Sequence, residues 1–319
     1  MDAETPLEPV VDAHTLRLMK AIGDEGSLTA AATALGYSQP AVSQSVRRIE
    51  QRLGVPVVER AGRRVRLTEA GRVLARHAPA VTTALEAAVG ELAELRGLRA
   101  GRVRVAAFPS ASSAVIPRLL RVLRTRHPGM EVTFVEAEPP EAIAAVRADR
   151  ADVGITFSFP GDRRDPHRLS AAGLEVSTLG EDDLLLVLPR DHPRAHDGSL
   201  TLAALADEEW IAGCPDCRGH LMELCEGAGF RPRVTFETDN YLAVEALVAQ
   251  GMGVATLPRW AVDSFPALPG IVTRPLPAAD PRSIHVVTAR EAQRVPAIRA
   301  TVDALRALLA EPGRTRSPA

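Results

Sequence analysis

Cys214-Pro215-Asp216-Cys217, followed by His220 and Cys225, is the densest run of soft ligands and nucleophiles in the 319-residue chain. Thiolate and imidazole at this spacing suit a tetrahedral zinc site. The same residues also suit small buried hydrophobes at a strand-to-helix turn, because free cysteine is among the most buried residue types. Three cysteines cannot build a disulfide framework, and in a reducing compartment the thiol is the default state. A second grouping is polar. Ser38, Gln39, Pro40, Ser43 and Gln44 precede Arg47 and Arg48, and Arg63 and Arg64 follow in a glycine-containing turn. Amide and hydroxyl groups match the donors and acceptors on base edges, whereas arginines match phosphates. Ser27 and Ser38 stand at helix starts, where capping alone accounts for them, and Pro40 fits a first helical turn as well as a contact to a thymine methyl.

Motifs for catalysis are missing. Gly251-Met252-Gly253-Val254-Ala255-Thr256 lacks the third glycine of a dinucleotide loop and falls between a helix and a strand, the reverse of the required order. Neither Gly-x-Ser-x-Gly nor His-Glu-x-x-His occurs. An enzyme is not expected, nor a resident metal or cofactor.

The elements that position the polar grouping are three closely spaced helices. Leu16, Leu18, Met19 and Ile22 form an apolar face that stops at Gly23; Ser27 opens a second helix, Leu28 to Leu35, ended by Gly36; a third runs from Ser38 to Leu53 before Gly54. In the third helix Ala41, Val42, Val46, Ile49 and Leu53 mark the packed face, which leaves Gln39, Ser43, Gln44, Arg47 and Arg48 for a partner. Two short strands around Ala61-Gly62-Arg63-Arg64 make a basic wing. From Glu69 to Arg99 a long stripe of Leu74, Val81, Leu85, Ala88, Leu92 and Leu95 requires a partner helix, and Pro79 predicts a bend. From Gly101 onward strands and helices alternate, which implies parallel sheets built from crossover units, and Glu311 to Ala319 reads as a disordered tail.

The net charge of −2 hides a segregation. From Ser43 to Arg66 seven arginines face two acids, a local +5, while residues 102–319 carry 25 cations and 28 acids, a net −3. Thirty-seven of the 38 cations are arginine, with Lys20 the exception, a bias expected of a GC-rich genome. The acidic N-terminus has neither a basic nor an apolar leader segment, and no run of 18 apolar residues occurs, so a cytoplasmic protein without membrane contact is expected.

The run from Thr33 through Leu35-Gly36-Tyr37-Ser38-Gln39-Pro40-Ala41-Val42-Ser43-Gln44-Ser45-Val46-Arg47-Arg48-Ile49-Glu50, with Leu53-Gly54, Arg60 and Leu67-Thr68-Glu69-Ala70-Gly71, resembles the DNA-binding domain of LysR-type transcriptional regulators. Val58 departs from the pattern, which has a bulkier residue there. The resemblance implies an α+β protein: a winged helix-turn-helix over 12–68, a linker and dimerisation helix over 69–100, and an α/β effector domain over 101–310. That domain has two subdomains of the type 2 periplasmic-binding kind. DNA-binding residues would be Ser27, Ser38, Gln39, Pro40, Ser43, Gln44, Arg47, Arg48, Arg63 and Arg64. The effector cleft would take in Ser110, Ser112, Ser113, Thr156, Phe157, Gly213, Cys214, Asp239 and Asn240, with crossovers near 178–180 and 273–276. A helix starting near Ser112 would aim its free N–H groups at the cleft and favour an anionic effector, although the serines also serve as ordinary caps. The implied partners are promoter DNA with an interrupted palindrome, a small-molecule effector and further copies of the chain as homodimer or homotetramer, with RNA polymerase as another. A thiol-redox or metal-responsive regulator of the same family, using Cys214, Cys217 and Cys225, is the alternative, because Cys225 precedes Glu226-Gly227-Ala228-Gly229 much as a reactive cysteine does in the family's peroxide sensor.

Overall fold

A computed structural model describes residues 11–61, 64–95, 100–159, 161, 165–198, 200–276 and 281–310. Arg63 and the expected tail lie outside the described residues. The chain divides into two compact units, Met1–Glu91 and Leu92–Ala319.

In the first unit, α1 (Ala13–Glu25), α2 (Leu28–Leu35) and α3 (Gln39–Leu53) each start on a side-chain cap, from Asp12, Ser27 and Ser38, and each stop at a left-handed glycine, Gly26, Gly36 and Gly54. α1 continues through Gly23, where the sequence suggested a stop. A Cβ there would come within 2.8 Å of Leu67 Cδ1, so the glycine serves a close helix–strand approach instead of ending the helix. The wing is an antiparallel pair, β1 (Val58–Ala61) and β2 (Arg64–Leu67), registered Val58 against Leu67. Leu18, Met19, Ile22, Val42, Val46 and Ile49 fill the core with Val57 and Leu67 from the wing. Ala41, expected on the packed face of α3, is exposed.

The long helix α4 (Glu69–Leu95) is assigned without interruption across Pro79. Its apolar stripe splits into two halves. Leu74 and Ala78 are buried in the core with Val81 packed against it, whereas Leu85, Val89 and Leu92 are 49%, 66% and 62% exposed.

The second unit holds two five-stranded sheets. Its chain order is β3 (Ala100–Ala107), α5 (Pro109–Ala114), α6 (Ile116–Arg126), β4 (Gly129–Glu136), α7 (Pro139–Arg147), β5 (Val153–Ser158), α8 (Pro166–Ser170), β6 (Leu174–Asp182), β7 (Leu184–Pro189), β8 (Glu209–Ala212), α9 (Pro215–Gly227), β9 (Arg233–Glu237), α10 (Tyr241–Ala249), β10 (Val254–Pro258), α11 (Arg259–Asp263), β11 (Ile271–Pro275), β12 (Arg282–Ala289) and α12 (Pro296–Ala310). The first sheet runs β4-β3-β5-β12-β6 and the second β11-β7-β10-β8-β9. Both are mixed, not parallel throughout. The chain passes from one sheet to the other between β6 and β7 and returns between β11 and β12, and strands β12 and β7 run antiparallel to their neighbours. The single expected helix from Ser112 to His127 is two: α5 begins at Pro109, and α6 at Ile116.

Both passages meet at one ion pair. Asp182 ends β6, Arg282 opens β12, and the two are register partners. Arg282 Nε and Nη2 donate to Asp182 Oδ2 at 3.1 and 2.7 Å, and both side chains are 1% exposed. The guanidinium lies 4.8 and 4.6 Å from the ring centroids of Phe108 and Phe157 and donates to Ser110 Oγ at 2.5 Å. Asp182 Oδ1 accepts from the backbone N–H of Trp260 at 3.1 Å, which ties α11 of the second sheet to the same carboxylate. Burial raises the Asp182 carboxyl above the usual carboxylate range, against the opposing pull of Arg282.

A half-buried group on β12 is also shifted from its ordinary titration range. His285 on β12 lies 3.0 Å from Ser158 Oγ and 3.3 Å from Thr178 Oγ1, with its ring 4.4 Å from that of His167. Burial, aided by the neighbouring His167, depresses it to about 4.

Two outcomes are expected. Breaking a buried pair from one side leaves a desolvated charge and costs about 3–5 kcal/mol. In urea unfolding, Asp182→Asn and Arg282→Met should each lose that order of stability, and the double variant less than the sum; additive losses would show that the two charges do not support one another. His285 refuses protons in the folded chain that the unfolded chain takes up below about 6.5. Its contribution is therefore complete above 6.5 and lost as the pH falls toward 4. Glu138, just after β4, acts in the opposite sense, because its carboxyl is pushed up to about 7 by burial. His285→Gln should accordingly lose less stability than the unsubstituted protein between pH 6.5 and 5, measured by thermal melting in matched buffers.

Candidate functional site

α3 presents its partner face through a short list of side chains. Gln39, Pro40, Gln44, Arg47 and Arg48 are exposed, and Ser43 is half-buried. Gln39 Nε2 donates to Ser43 Oγ at 2.9 Å, one helical turn on, so the two polar groups form a pair on the surface. Ser38 Oγ accepts from Ala41 N and Ser27 Oγ from Ala30 N, each at 3.4 Å, which places both as caps at the starts of α3 and α2. Arg52, Arg64 and Arg66 add exposed positive charge, and Arg64 stands in the wing opposite Ala61. Glu50, an acid within the basic patch, accepts from the backbone N–H groups of Val57 and Val58 at 2.9 and 3.3 Å and so joins α3 to the wing. The helix face and wing therefore form one basic surface, held by a core in which every α3 anchor is apolar.

In the second unit a crevice of about 550 Å³ opens between the two sheets. Pro109, Ser112, Ser113 and Glu136 line it from the first sheet's side; Asp239, Asn240, Tyr241, Leu242 and Phe265 line it from the second. These are the carboxyl ends of β3, β4 and β9 and the helices that follow, where ligands of open α/β sheets bind. A smaller hollow of about 70 Å³ lies beside Phe157, Ser158 and Phe159 on one side and Asp216, His220 and Glu223 on the other. Across it Phe159 and His220 stack with ring centroids 3.8 Å apart.

The effector residues expected from sequence separate here. Ser112, Ser113, Asp239 and Asn240 line the crevice and Phe157 lines the smaller hollow. Ser110 is fully buried and accepts from Arg282. Thr156 is also fully buried; strand alternation sets it opposite Phe157, and its hydroxyl lies 2.7 Å from His167 Nε2. Gly213 and Cys214 fall at the end of β8 and outside the lining of both hollows, with Cys214 serving as the cap of α9. The first passage between sheets comes at Asp182–Asp183, slightly later than the segment expected from sequence. Sequence reasoning missed Glu136, Glu138, Tyr241 and Phe265. The rule that ligands sit after parallel strands, applied to β3, also points to the end of β4, where Glu136 and Glu138 stand.

Cys214 and Cys217 are joined by a disulfide within the first turn of α9, and among the described residues no group of three His, Cys, Asp or Glu side chains is placed to hold a metal ion. Cys225 is buried, and burial pushes its thiol up to about 12, so it is a protonated core residue at neutral pH and a poor nucleophile. The metal- and redox-responsive alternative therefore loses its third thiol, and the reading of Cys225 as a small buried hydrophobe stands.

Among the described residues no helix is long and apolar enough to cross a membrane. Comparison with known proteins places both units. Residues 13–72 match the family described as bacterial regulatory helix-turn-helix protein, lysR family, and residues 96–310 match the LysR substrate binding domain. A probable HTH-type transcriptional regulator, LrrA, of Synechococcus elongatus is 29% identical over 293 residues, covering 91% of this chain and 95% of that protein. A probable hydrogen peroxide-inducible genes activator of Mycobacterium avium is 31% identical over 253 residues, covering 77% of this chain and 78% of its own. Among solved structures, a full-length OxyR variant from Pseudomonas aeruginosa superposes with a TM-score of 0.71 at 25% identity, covering 96% of this chain and 99% of that one. Full-length BenM shares the fold, with a TM-score of 0.57 at 22% identity over 97% of this chain and all of that one. With a basic helix-turn-helix and wing ahead of a two-sheet crevice, and with both family matches together spanning residues 13–72 and 96–310, the chain belongs to the LysR family of bacterial helix-turn-helix regulators.

Proposed function

We propose that this LysR-family regulator reads promoter DNA through α3 and the β1–β2 wing, as a dimer or a pair of dimers, and that a small molecule in the crevice of the second unit sets its activity. The observation that carries this reading is the α3 face itself: Gln39, Ser43 and Gln44 at the N-terminal half of a helix whose opposite side is core, with Arg47, Arg48 and Arg64 around them. That layout gives base-edge donors and acceptors at the centre and phosphate partners at the rim. Residues 12–68 act as the reader, 69–100 as the linker and dimerisation helix, and 101–310 as the effector domain. The protein works in the cytoplasm, where its DNA is, and RNA polymerase is the further macromolecular partner.

The bare half of α4 supports pairing. Leu85, Val89 and Leu92 follow the spacing of one helical face, and a second copy of the helix would cover them. Two readers then meet DNA with two-fold symmetry. Effector binding changes the closure of the two sheets about the Asp182–Arg282 pair, and the angle between paired readers follows from it.

Two measurements check the reading. In selection from a random duplex library, Gln39→Ala with Ser43→Ala should lose the sequence preference of the unsubstituted protein while retaining its melting temperature. Arg64→Ala should weaken all duplexes alike and lower the salt slope of binding by about one. An unchanged selected sequence in the double variant moves base reading away from α3. Val89→Glu should shift sedimentation from dimer toward monomer at micromolar concentration; an unaltered dimer moves the pairing surface off α4.

A further inference from the structure

We infer that the effector of this chain is a small organic cation, an ammonium or guanidinium compound held between Glu136 and Asp239 across the crevice. The inference rests on reading the crevice as the effector site, and it replaces the anion expected from a helix start near Ser112.

The charges come first. The crevice lining carries two carboxylates, Glu136 and Asp239, and no Lys or Arg. The nearby cation, Arg282, is 1% exposed and already matched by Asp182. Glu138, two residues beyond Glu136 and close enough to Asp239 to feel its charge, stands outside the lining and adds a third carboxyl to the neighbourhood.

Next come the donors an anion would need. In α/β sheets these are the first-turn N–H groups of helices at the strand ends. Four helices follow the relevant strands, and each start has lost part of its free N–H groups. α5 opens on Pro109, α7 on Pro139 and Pro140, and α9 on Pro215, none of which has an N–H. In α9, Cys217 N is further engaged by Cys214 Sγ at 3.2 Å. In α10, Asn240 Oδ1 takes the N–H groups of Leu242 and Ala243 at 3.1 and 3.2 Å. The amides left open in the first turn of α5 stand for about half a positive charge, against two full negative ones.

The hydroxyls agree. Ser112 donates to Phe108 O and Ser113 to Ser110 O, each at 3.1 Å, so both serine oxygens are left as acceptors. Pro109, Leu242 and Phe265 give an apolar wall for a carbon chain between two charged ends.

The test uses full-length protein in thermal-shift and calorimetric titrations with 1,4-diaminobutane, 1,5-diaminopentane and agmatine, set against succinate and glutarate. A saturable rise in melting temperature with at least one of the amines, none with the dicarboxylates, and at least tenfold weaker binding in Glu136→Gln and Asp239→Asn supports the inference. Both positions are exposed, so unchanged unliganded melting checks that each variant folds. Saturable binding of a dicarboxylate alone overturns the cationic class and leaves the crevice as the effector site. Amine binding that both variants retain overturns the assignment to these carboxylates. No saturable binding by either class overturns the crevice reading and the inference with it.

Discussion

The two passages between the sheets of the second unit are tied to each other by a desolvated ion pair at the edge of the first sheet. Asp182 and Arg282 stand where the chain leaves the first sheet and where it re-enters, so the pair fixes both connections at once. Flanked by Phe108 and Phe157, the guanidinium has a carboxylate, the Ser110 hydroxyl and two ring faces in place of hydration. Trp260 N on the same carboxylate brings α11 in from the second sheet, and Phe108 stacks on the Trp260 ring 6.2 Å away. The crevice between the sheets is thus bounded by a junction in which side chains of both chain passages and of α11 converge on one carboxylate.

The first unit is held by different means. Its first three helices are short, and their ends are set by side-chain caps and left-handed glycines at fixed places in the sequence. That is why this part was legible from residues alone: caps and glycine stops are local signals, and α2 and α3 fall where Ser27, Gly36, Ser38 and Gly54 put them. Gly23 misled because its role is tertiary, a close approach to Leu67 that nothing in its neighbours announces.

In the second unit legibility falls for the same reason. Strands were visible in the alternation of textures, yet the antiparallel entry of β7 and β12 is decided by where the chain crosses between sheets, a non-local choice. Thr156 and Phe157 were grouped as neighbours although strand alternation sends them to opposite faces, one toward His167 and the other toward Arg282. Glu136 and Glu138 carry no motif, and their significance comes only from the Asp239 side of another sheet. Cys214, Cys217, His220 and Cys225 carried the most conspicuous spacing in the sequence and proved to be a local bridge and a buried thiol, which shows that dense spacing on one helix is weaker evidence than convergence from several elements.

The contact between Gln39 and Ser43 on α3 has one more implication. The bond holds two exposed side chains, one helical turn apart, in a single arrangement, while the Gln39 carbonyl oxygen and the Ser43 hydroxyl proton are not used by it. Trading it for a bond to another polar partner leaves the number of hydrogen bonds unchanged and adds little free energy, so whatever meets this face finds a preset pair and not two freely rotating groups.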